Sequence, residues 1–408
     1  MIRRESLAIE GGNPVRDIRR RPWPAWPIYD AEEERALLNV LHSGKWWGVE
    51  GDEGRQFERE FAAYQQARFG LVCTNGTAAL EIALRALDIG CGDEVIVPPY
   101  TFVATASAPL TVGATPIFVD IQSDTLNIDP ALIEAAITPR TRAIVPVHIA
   151  GRPADMDAIL AIAAKRGLAV IEDAAQSHGA EWKGTRVGAL GDFGTFSFQA
   201  SKNLNSGEGG MILSNSEALA DAAWSVINVG RIRGGHRYAH QALGGNFRMT
   251  EFQSAVLRTQ LRRLPEQTAR RTANAAYLRE LLSGIPGISL PSEDPRITAH
   301  AYHLFTFRID LDRLGDLTYS GLIETLEAEG IPCSDGYVPL YREGLFTRQS
   351  RREGRWCQAG SVIDYTALNL PVCERVCGDT IWLPQTLLLA ERRDMEDVAA
   401  ALTKIVAV

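Results

Sequence analysis

Between residues 69 and 171, short runs of β-branched residues alternate with stretches of helical periodicity. Val72-Cys73 leads into a segment whose Leu80, Ala83, Leu84 and Leu87 fall at i, i+3, i+4 and i+7, the apolar stripe of an amphipathic helix. Residues 95–97, 116–119, 143–147 and 168–171 repeat the apolar run, with helix-like segments between them. Runs that stay apolar instead of alternating with polar residues predict strands covered on both faces. The fold class is therefore α/β: a large domain with a mostly parallel central sheet flanked by helices.

The flanks follow other patterns. Pro22-Trp23-Pro24-Ala25-Trp26-Pro27 excludes a regular helix and reads as an arm laid on another surface. A helix is predicted from Ala31 to Leu41, capped by Asp30 and ending near Gly44. Phe252, Ala255, Val256, Leu257, Leu261 and Leu264 predict a long helix that stops at Pro265 and resumes toward Leu282. Beyond Gly287, a strand pattern at 303–309 and helical patterns at 319–329 and 393–406 predict a smaller C-terminal α+β domain. The expected division is an arm and first helix over 1–48, a large domain over 49–264 and a small domain over 265–408.

At 408 residues the chain exceeds the size at which one core stops growing, in keeping with two domains. Hydrophobic residues at 46% and charged residues at 23% exclude a disordered or fibrous class. A formal net charge of −8 argues against nucleic acid as a partner. No signal peptide or bilayer-length apolar run is found, so no membrane association and a cytoplasmic location are expected. Cys73, Cys91, Cys333, Cys357, Cys373 and Cys377 form no CxxC pair and are expected as free thiols. Cys373 and Cys377 would share a helix face, but two ligands make no metal site, and no metal is expected.

The stretch 172–210 carries the chemistry. It contains Glu172-Asp173-Ala174-Ala175-Gln176, Phe196-Ser197-Phe198-Gln199-Ala200-Ser201-Lys202 and Ser206-Gly207-Glu208-Gly209-Gly210. An acid ending an apolar run, a lysine after an aromatic lead-in and a glycine-rich exit suit a pyridoxal 5'-phosphate (PLP) site. Lys202 would form the Schiff base, which needs an amine neutral part of the time. Asp173, at the carboxyl end of a parallel strand, would hold the pyridine nitrogen protonated; the competing reading is a helix N-cap. Gln176 would neighbour the phenolic oxygen. Gly76 and Thr77, opening the amphipathic helix, would bind the phosphate with Ser197. Phe102, after Pro98-Pro99 and Tyr100-Thr101, would stack on the ring or serve as ordinary core.

Together with Thr74-Asn75-Gly76-Thr77-Ala78-Ala79-Leu80, Pro99-Tyr100-Thr101-Phe102, Gly207-Glu208-Gly209-Gly210 and Asn246-Phe247-Arg248-Met249-Thr250-Glu251-Phe252-Gln253, these motifs resemble the DegT/DnrJ/EryC1/StrS aminotransferases from Trp26 to the last helix. The resemblance implies a fold-type I PLP enzyme, homodimeric, with a shared active site at the subunit interface. It implies Lys202 as the catalytic lysine, Asp173 as the pyridine partner, Gln176, Phe102, Gly76, Thr77 and Ser197 as cofactor contacts, and Asn246 as a phosphate contact reaching in from the second subunit. Trp46-Trp47 after Ser43-Gly44-Lys45, Gln199, and Pro146-Val147-His148 look most like the scyllo-inosose (cyclitol) aminotransferases and the aminohydroxybenzoate synthases, from which the chain departs at Ala200-Ser201 and Asn203-Leu204-Asn205. What this implies is ping-pong transfer from L-glutamine or L-glutamate, through pyridoxamine phosphate, to a ketone on a cyclitol or sugar ring. Alternatives are a nucleotide-sugar aminotransferase, a dehydrating or aromatising synthase, and a non-catalytic PLP-binding regulator.

Candidates for substrate contact are Trp47, His148, Arg231, Tyr302, His303 and Tyr337. Trp46 and Trp47 also read as loop anchors, and His148 and His178 read first as structural. Arg231, Arg233, His236, Arg237 and His240 form a basic segment that suits either an acidic ligand or a solvated loop.

Overall fold

The computed structural model describes residues 6–236, 238–349 and 363–407; Arg237 and Cys357, named above, lie outside them. Strands β1 (Phe69–Cys73), β2 (Glu94–Val97), β3 (Thr115–Phe118), β4 (Thr141–Ile144) and β5 (Ala169–Asp173) form where the apolar runs predict them. A small hairpin, β6 (Glu181–Trp182) and β7 (Thr185–Arg186), separates them from β8 (Phe193–Ser197) and β9 (Gly210–Ser214). Seven strands join in the order β1-β9-β8-β5-β4-β2-β3, all running one way except β9. Every residue of β2, β8 and β9 is buried, as expected for a sheet covered on both faces. Val95 and Val97 pack in one core cluster and Ile96 in another, because successive side chains of a strand point to opposite faces.

Helix α1 (Ala31–Ser43) begins where the Glu32 N–H donates to Asp30 Oδ1 at 2.7 Å. It ends at Gly44, whose φ of 68° suits the left-handed stop. Helices α2 (Glu53–Tyr64) and α3 (Gly76–Ala86) cover the two faces of the sheet, Phe57 and Phe61 on one side and Leu80, Ala83 and Leu84 on the other. Helix α4 (Ala104–Thr111) follows β2.

The second sheet is antiparallel. Its strands β10 (Ile288–Ser289), β12 (Leu304–Ile309), β13 (Ser334–Asp335) and β14 (Thr380–Pro384) lie in the order β10-β12-β14-β13, while β11 (Ile297–Ala299) pairs with β6. Phe305, Phe307, Ile381 and Leu383 pack against Val398, Leu402 and Ile405 of the helix Asp394–Val406.

The structure corrects several expectations. The helix Glu251–Leu282 runs unbroken through Pro265. Leu257 and Leu264 are anchored in the large-domain core and Ala275, Leu278 and Leu282 in the other, so packing at both ends outweighs the proline's lost hydrogen bond, a cost of about 3 kcal/mol. Beyond β13 the chain returns to the large domain: Leu340, Tyr341, Phe346 and Tyr365 bury in its core, and Tyr365 Oη donates to the Pro116 carbonyl at 2.9 Å. Cys91 is disulfide-bonded, whereas Cys73, Cys333, Cys373 and Cys377 are free. The Cys373 and Cys377 sulfurs lie 3.8 Å apart, and no cluster of three or more metal-ligand side chains occurs among the described residues. Nor does any described helix have the length and apolarity to cross a membrane.

The arm lies on the small domain. Leu7 buries in its core, and Arg16 Nη1 meets Asp394 Oδ1 at 2.7 Å and Asp397 Oδ2 at 2.8 Å.

Candidate active site

The carboxyl ends of β5 and β8, the start of α3 and the end of β14 converge on a cleft of about 990 Å³. Its lining includes Gly76, Thr77, Phe102, Asp173, Gln176, Ser197, Lys202, His303 and Tyr337. The chain brings these together because the ends of parallel strands and the helices that follow them meet on one edge of the sheet.

Asp173 is the last residue of β5. Its Oδ2 accepts from Thr105 Oγ1 at 2.7 Å, and its Oδ1 accepts from the Ala175 N–H at 3.2 Å. Thr101 Oγ1 lies 3.0 Å from Thr105 Oγ1; since Thr105 spends its proton on Asp173, Thr101 is the donor of that pair. Burial raises the Asp173 pKa, opposed by Thr105, the Ala175 N–H and the Lys202 charge. No helix follows, so the N-cap reading is set aside: the side chain caps a turn and faces the cleft. The neighbouring Glu172 points the other way. It is fully buried and accepts from the N–H groups of Gly188, Leu190 and Gly191 at 2.7 to 2.8 Å.

Lys202 follows β8 on a turn whose lead-in residues Phe196 and Phe198 are wholly buried. Burial pushes its pKa down from 10.5 to about 8, with Asp173 acting in the opposite sense. An amine so placed is neutral often enough to attack a carbonyl.

Across the cleft, α3 starts at Gly76. Asn75 caps it, its Oδ1 accepting from the Ala78 N–H at 2.8 Å. Among the described residues the N–H groups of Gly76 and Thr77 have no acceptor. A Cβ on Gly76 would lie 2.8 Å from Ser197 Cβ, so only glycine lets helix start and strand end approach this closely. Free amides at a helix N-terminus beside two hydroxyls form a cradle for a phosphate. Phe102 is 56% exposed at this cleft, which excludes the core reading and leaves its face for a ring.

Gln176 Oε1 accepts from the Ala150 N–H at 2.7 Å, which orients Nε2 to donate to Tyr337 Oη at 3.1 Å. Tyr337 packs edge-on against Trp382 with centroids 4.6 Å apart. Asn203 Nδ2 donates to the Ala301 carbonyl at 2.7 Å, so its Oδ1, 3.2 Å from His303 Nδ1, accepts from that nitrogen. Burial, then the Lys202 charge, pushes the His303 pKa well below its ordinary value; the ring is neutral and its Nε2 carries the lone pair.

Four substrate candidates do not line this cleft. His148 is fully buried, with Nδ1 accepting from the Ala154 N–H at 3.0 Å and Nε2 therefore donating to Glu172 Oε2 at 3.0 Å; both nitrogens are committed to structure. Tyr302 stacks on His300 at 3.9 Å. Trp47 pairs with Thr250, and Arg231 with His240, in isolated bridges outside it. Asn246 also lies outside, itself exposed and bridged to the buried Asn228.

Two features escaped the sequence. Trp26 joins the cleft wall, its Nε1 donating to the Ala200 carbonyl at 2.9 Å. Arg271 is fully buried and donates twice to Gln385 Oε1, at 2.9 and 2.6 Å, with no carboxylate partner among the described residues. Burial lowers its pKa to about 9. In sequence Arg270-Arg271 looks like an ordinary solvated pair; nothing local marks it.

The DegT/DnrJ/EryC1/StrS aminotransferase family model matches residues 27–402. This chain belongs to that family. The aminotransferase is 41% identical to an L-glutamine:2-deoxy-scyllo-inosose aminotransferase of Streptoalloteichus tenebrarius, over 98% of this chain and 97% of that one. It is 38% identical to a 3-amino-5-hydroxybenzoate synthase of Amycolatopsis mediterranei, covering 96% and 99%. A solved 3-amino-5-hydroxybenzoic acid synthase superposes with a TM-score of 0.87 at 36% identity, covering 97% and 99%, and an aminotransferase from Psychrobacter cryohalolentis with 0.85 at 35%, covering 95% and 99%. The fold is that of the PLP-dependent aminotransferases, and the chain is an enzyme of this class. The cleft's residues fit the cofactor: a phosphate cradle that a Cβ would fill, a buried carboxylate and a lysine of depressed pKa.

Proposed function

We propose that this aminotransferase transfers the amino group of L-glutamine to a ketone on a cyclitol ring, as a homodimer in which Asn246 of a second copy completes each cleft. The observation that carries the chemistry is that Lys202, with its pKa near 8, faces the same cleft as Asp173. The donor and acceptor rest on the names of relatives such as the 2-deoxy-scyllo-inosose aminotransferase. The exposed place of Asn246, away from its own cleft, supports the shared site.

When bound, PLP would supply the electrophilic carbonyl, the electron sink and the temporary store for the amino group. Gly76, Thr77 and Ser197 would hold its phosphate, Phe102 would cover the ring face, and Asp173, whose charged form the Thr105 hydrogen bond favours against burial, would face the pyridine nitrogen. Lys202 Nζ takes a proton from the donor carbon and returns one to the acceptor carbon. His303 Nε2, unprotonated, accepts from a ring hydroxyl, and the Gln176–Tyr337 pair holds the opposite wall. A cyclitol offers hydroxyl donors and little charge, which suits a wall made of neutral polar and aromatic groups.

A second reading, formation of an aromatic aminohydroxybenzoate, is favoured by the 38% identical relative of that name and by the solved structure. Incubating the PLP-loaded protein with L-glutamine and 2-deoxy-scyllo-inosose, and following products by mass and ultraviolet absorbance, separates the two. A non-aromatic amine supports the proposal. No amine from any cyclitol ketone, with aromatic product from another cyclic ketone, overturns it in favour of the second reading.

A further inference from the structure

A second cavity, of about 330 Å³, lies between the large-domain loops 122–127 and 152–155 and the strap 292–297 that leads into β11. Most of its charges are already neutralised within the chain. Arg296 grips Asp294 with Nε and Nη2 at 3.0 and 2.8 Å and reaches Asp155 Oδ2 with Nη1 at 2.9 Å. Glu293 is paired with Arg279 at 3.1 Å. Two charges remain. Arg152 is only 8% exposed, yet its guanidinium makes no hydrogen bond or ion pair among the described residues, and its Nε is a buried donor without a partner. Among the described residues Asp124 accepts only the Ser292 hydroxyl, at 2.6 Å on Oδ2, which leaves Oδ1 open. Arg152 and Asp124 are near enough to feel one another's field but form no ion pair.

A buried guanidinium without an acceptor is costly, since it loses hydration and gains nothing in return. After the pairing above, the cavity's lining presents one open cation and one open anion that form no ion pair among the described residues. A simple dianion such as phosphate would meet Asp124 and the paired acids with like charge. A molecule carrying carboxylate and ammonium together satisfies both ends. We infer that this cavity is a second small-molecule site that takes a free α-amino acid, its carboxylate on Arg152 and its ammonium on Asp124.

Trp182 of β6 and Ile297 of β11 close one side of the cavity. The Gly151 carbonyl, next to Arg152, accepts from the Ala301 N–H at 3.0 Å, and Ala150 N–H holds Gln176 of the main cleft. Arg152 therefore directly follows in sequence the two residues, Ala150 and Gly151, that hold Gln176 and Ala301.

Calorimetric titration of the PLP-loaded full chain with glycine, acetate and methylammonium tests the assignment. Glycine should bind, with acetate and methylammonium each at least about tenfold weaker. Arg152→Gln and Asp124→Asn should each weaken glycine at least about tenfold while PLP content and turnover stay at the wild-type level. Asp124 is exposed, so its variant keeps the test valid if the Arg152 variant fails to fold. Absence of glycine binding to the wild type, equal glycine affinity in Asp124→Asn, or acetate binding as tightly as glycine would each overturn the inference.

Discussion

Thr105 Oγ1 donates to Asp173 Oδ2 at 2.7 Å, tying the first turns of α4 to the end of β5. Burial alone raises the Asp173 pKa, and this bond is the largest influence opposing it. Thr105→Val removes the donor and nearly keeps the volume. A hydrogen bond to a charged group contributes about 1.5 to 3 kcal/mol, or about one to two pKa units. The acid limb of the pH–rate profile should therefore move to higher pH by that amount. An unmoved acid limb would show that Asp173 does not govern it.

Lys202 has a folded pKa of about 8, below its ordinary 10.5. Between those values the unfolded cofactor-free chain holds a proton that the folded chain lacks, so stability rises with pH across the window and is flat below it. The gap corresponds to at most about 3 kcal/mol. Urea unfolding of cofactor-free wild type and Lys202→Met across pH 7 to 10 should show the rise only in the wild type. PLP uptake should accelerate as pH passes about 8 and then level off.

Gly76→Ala places a methyl group 2.8 Å from Ser197 Cβ. Overpacking of this kind costs about 1 to 3 kcal/mol, and here it also closes the phosphate cradle. Equilibrium dialysis should show PLP affinity falling at least about tenfold, beyond the modest loss in thermal stability.

If the cleft is shared between copies, as proposed, two inactive variants should be complementary. Lys202→Ala and Asn246→Ala, each inactive or crippled alone, should regain turnover when unfolded and refolded together, because mixed dimers hold one cleft with both residues intact. If the mixture stays as inactive as its components, Asn246 serves its own chain.

Arg16 is buried between Asp394 and Asp397. Burial raises the Asp394 pKa, but Arg16 and Arg21 outweigh it, and the net value lies below 3.8. The pair's stabilisation is therefore present above the unfolded pKa and lost as pH falls through the folded one. Arg16→Met should cost about 3 to 5 kcal/mol in urea unfolding near neutral pH, much less in acid, and release the arm to proteolysis.

The amino-acid sequence by itself determined what depends on near neighbours. Uniform apolar runs specify buried strands, and the Asp30 and Gly44 signals placed the first helix correctly because capping is decided within a few residues. The placement of Asp173 and Lys202 was legible for the same reason: a carboxylate at a strand end and a lysine behind buried aromatics are local arrangements, and the strands carry both to one cleft.

Only the tertiary structure decided what depends on residues far apart in the chain. Packing at both ends carries the helix through Pro265, and the segment after residue 339 returns to the large core. Trp26 becomes cleft wall by bonding Ala200, Arg271 loses its solvent to Gln385, and His148 is spent on Glu172 and Ala154. Arg152 and Asp124 come to line one cavity that no local spacing marks. Local pattern records the preference of a few successive residues, whereas burial and partner choice arise only when distant segments exclude water together.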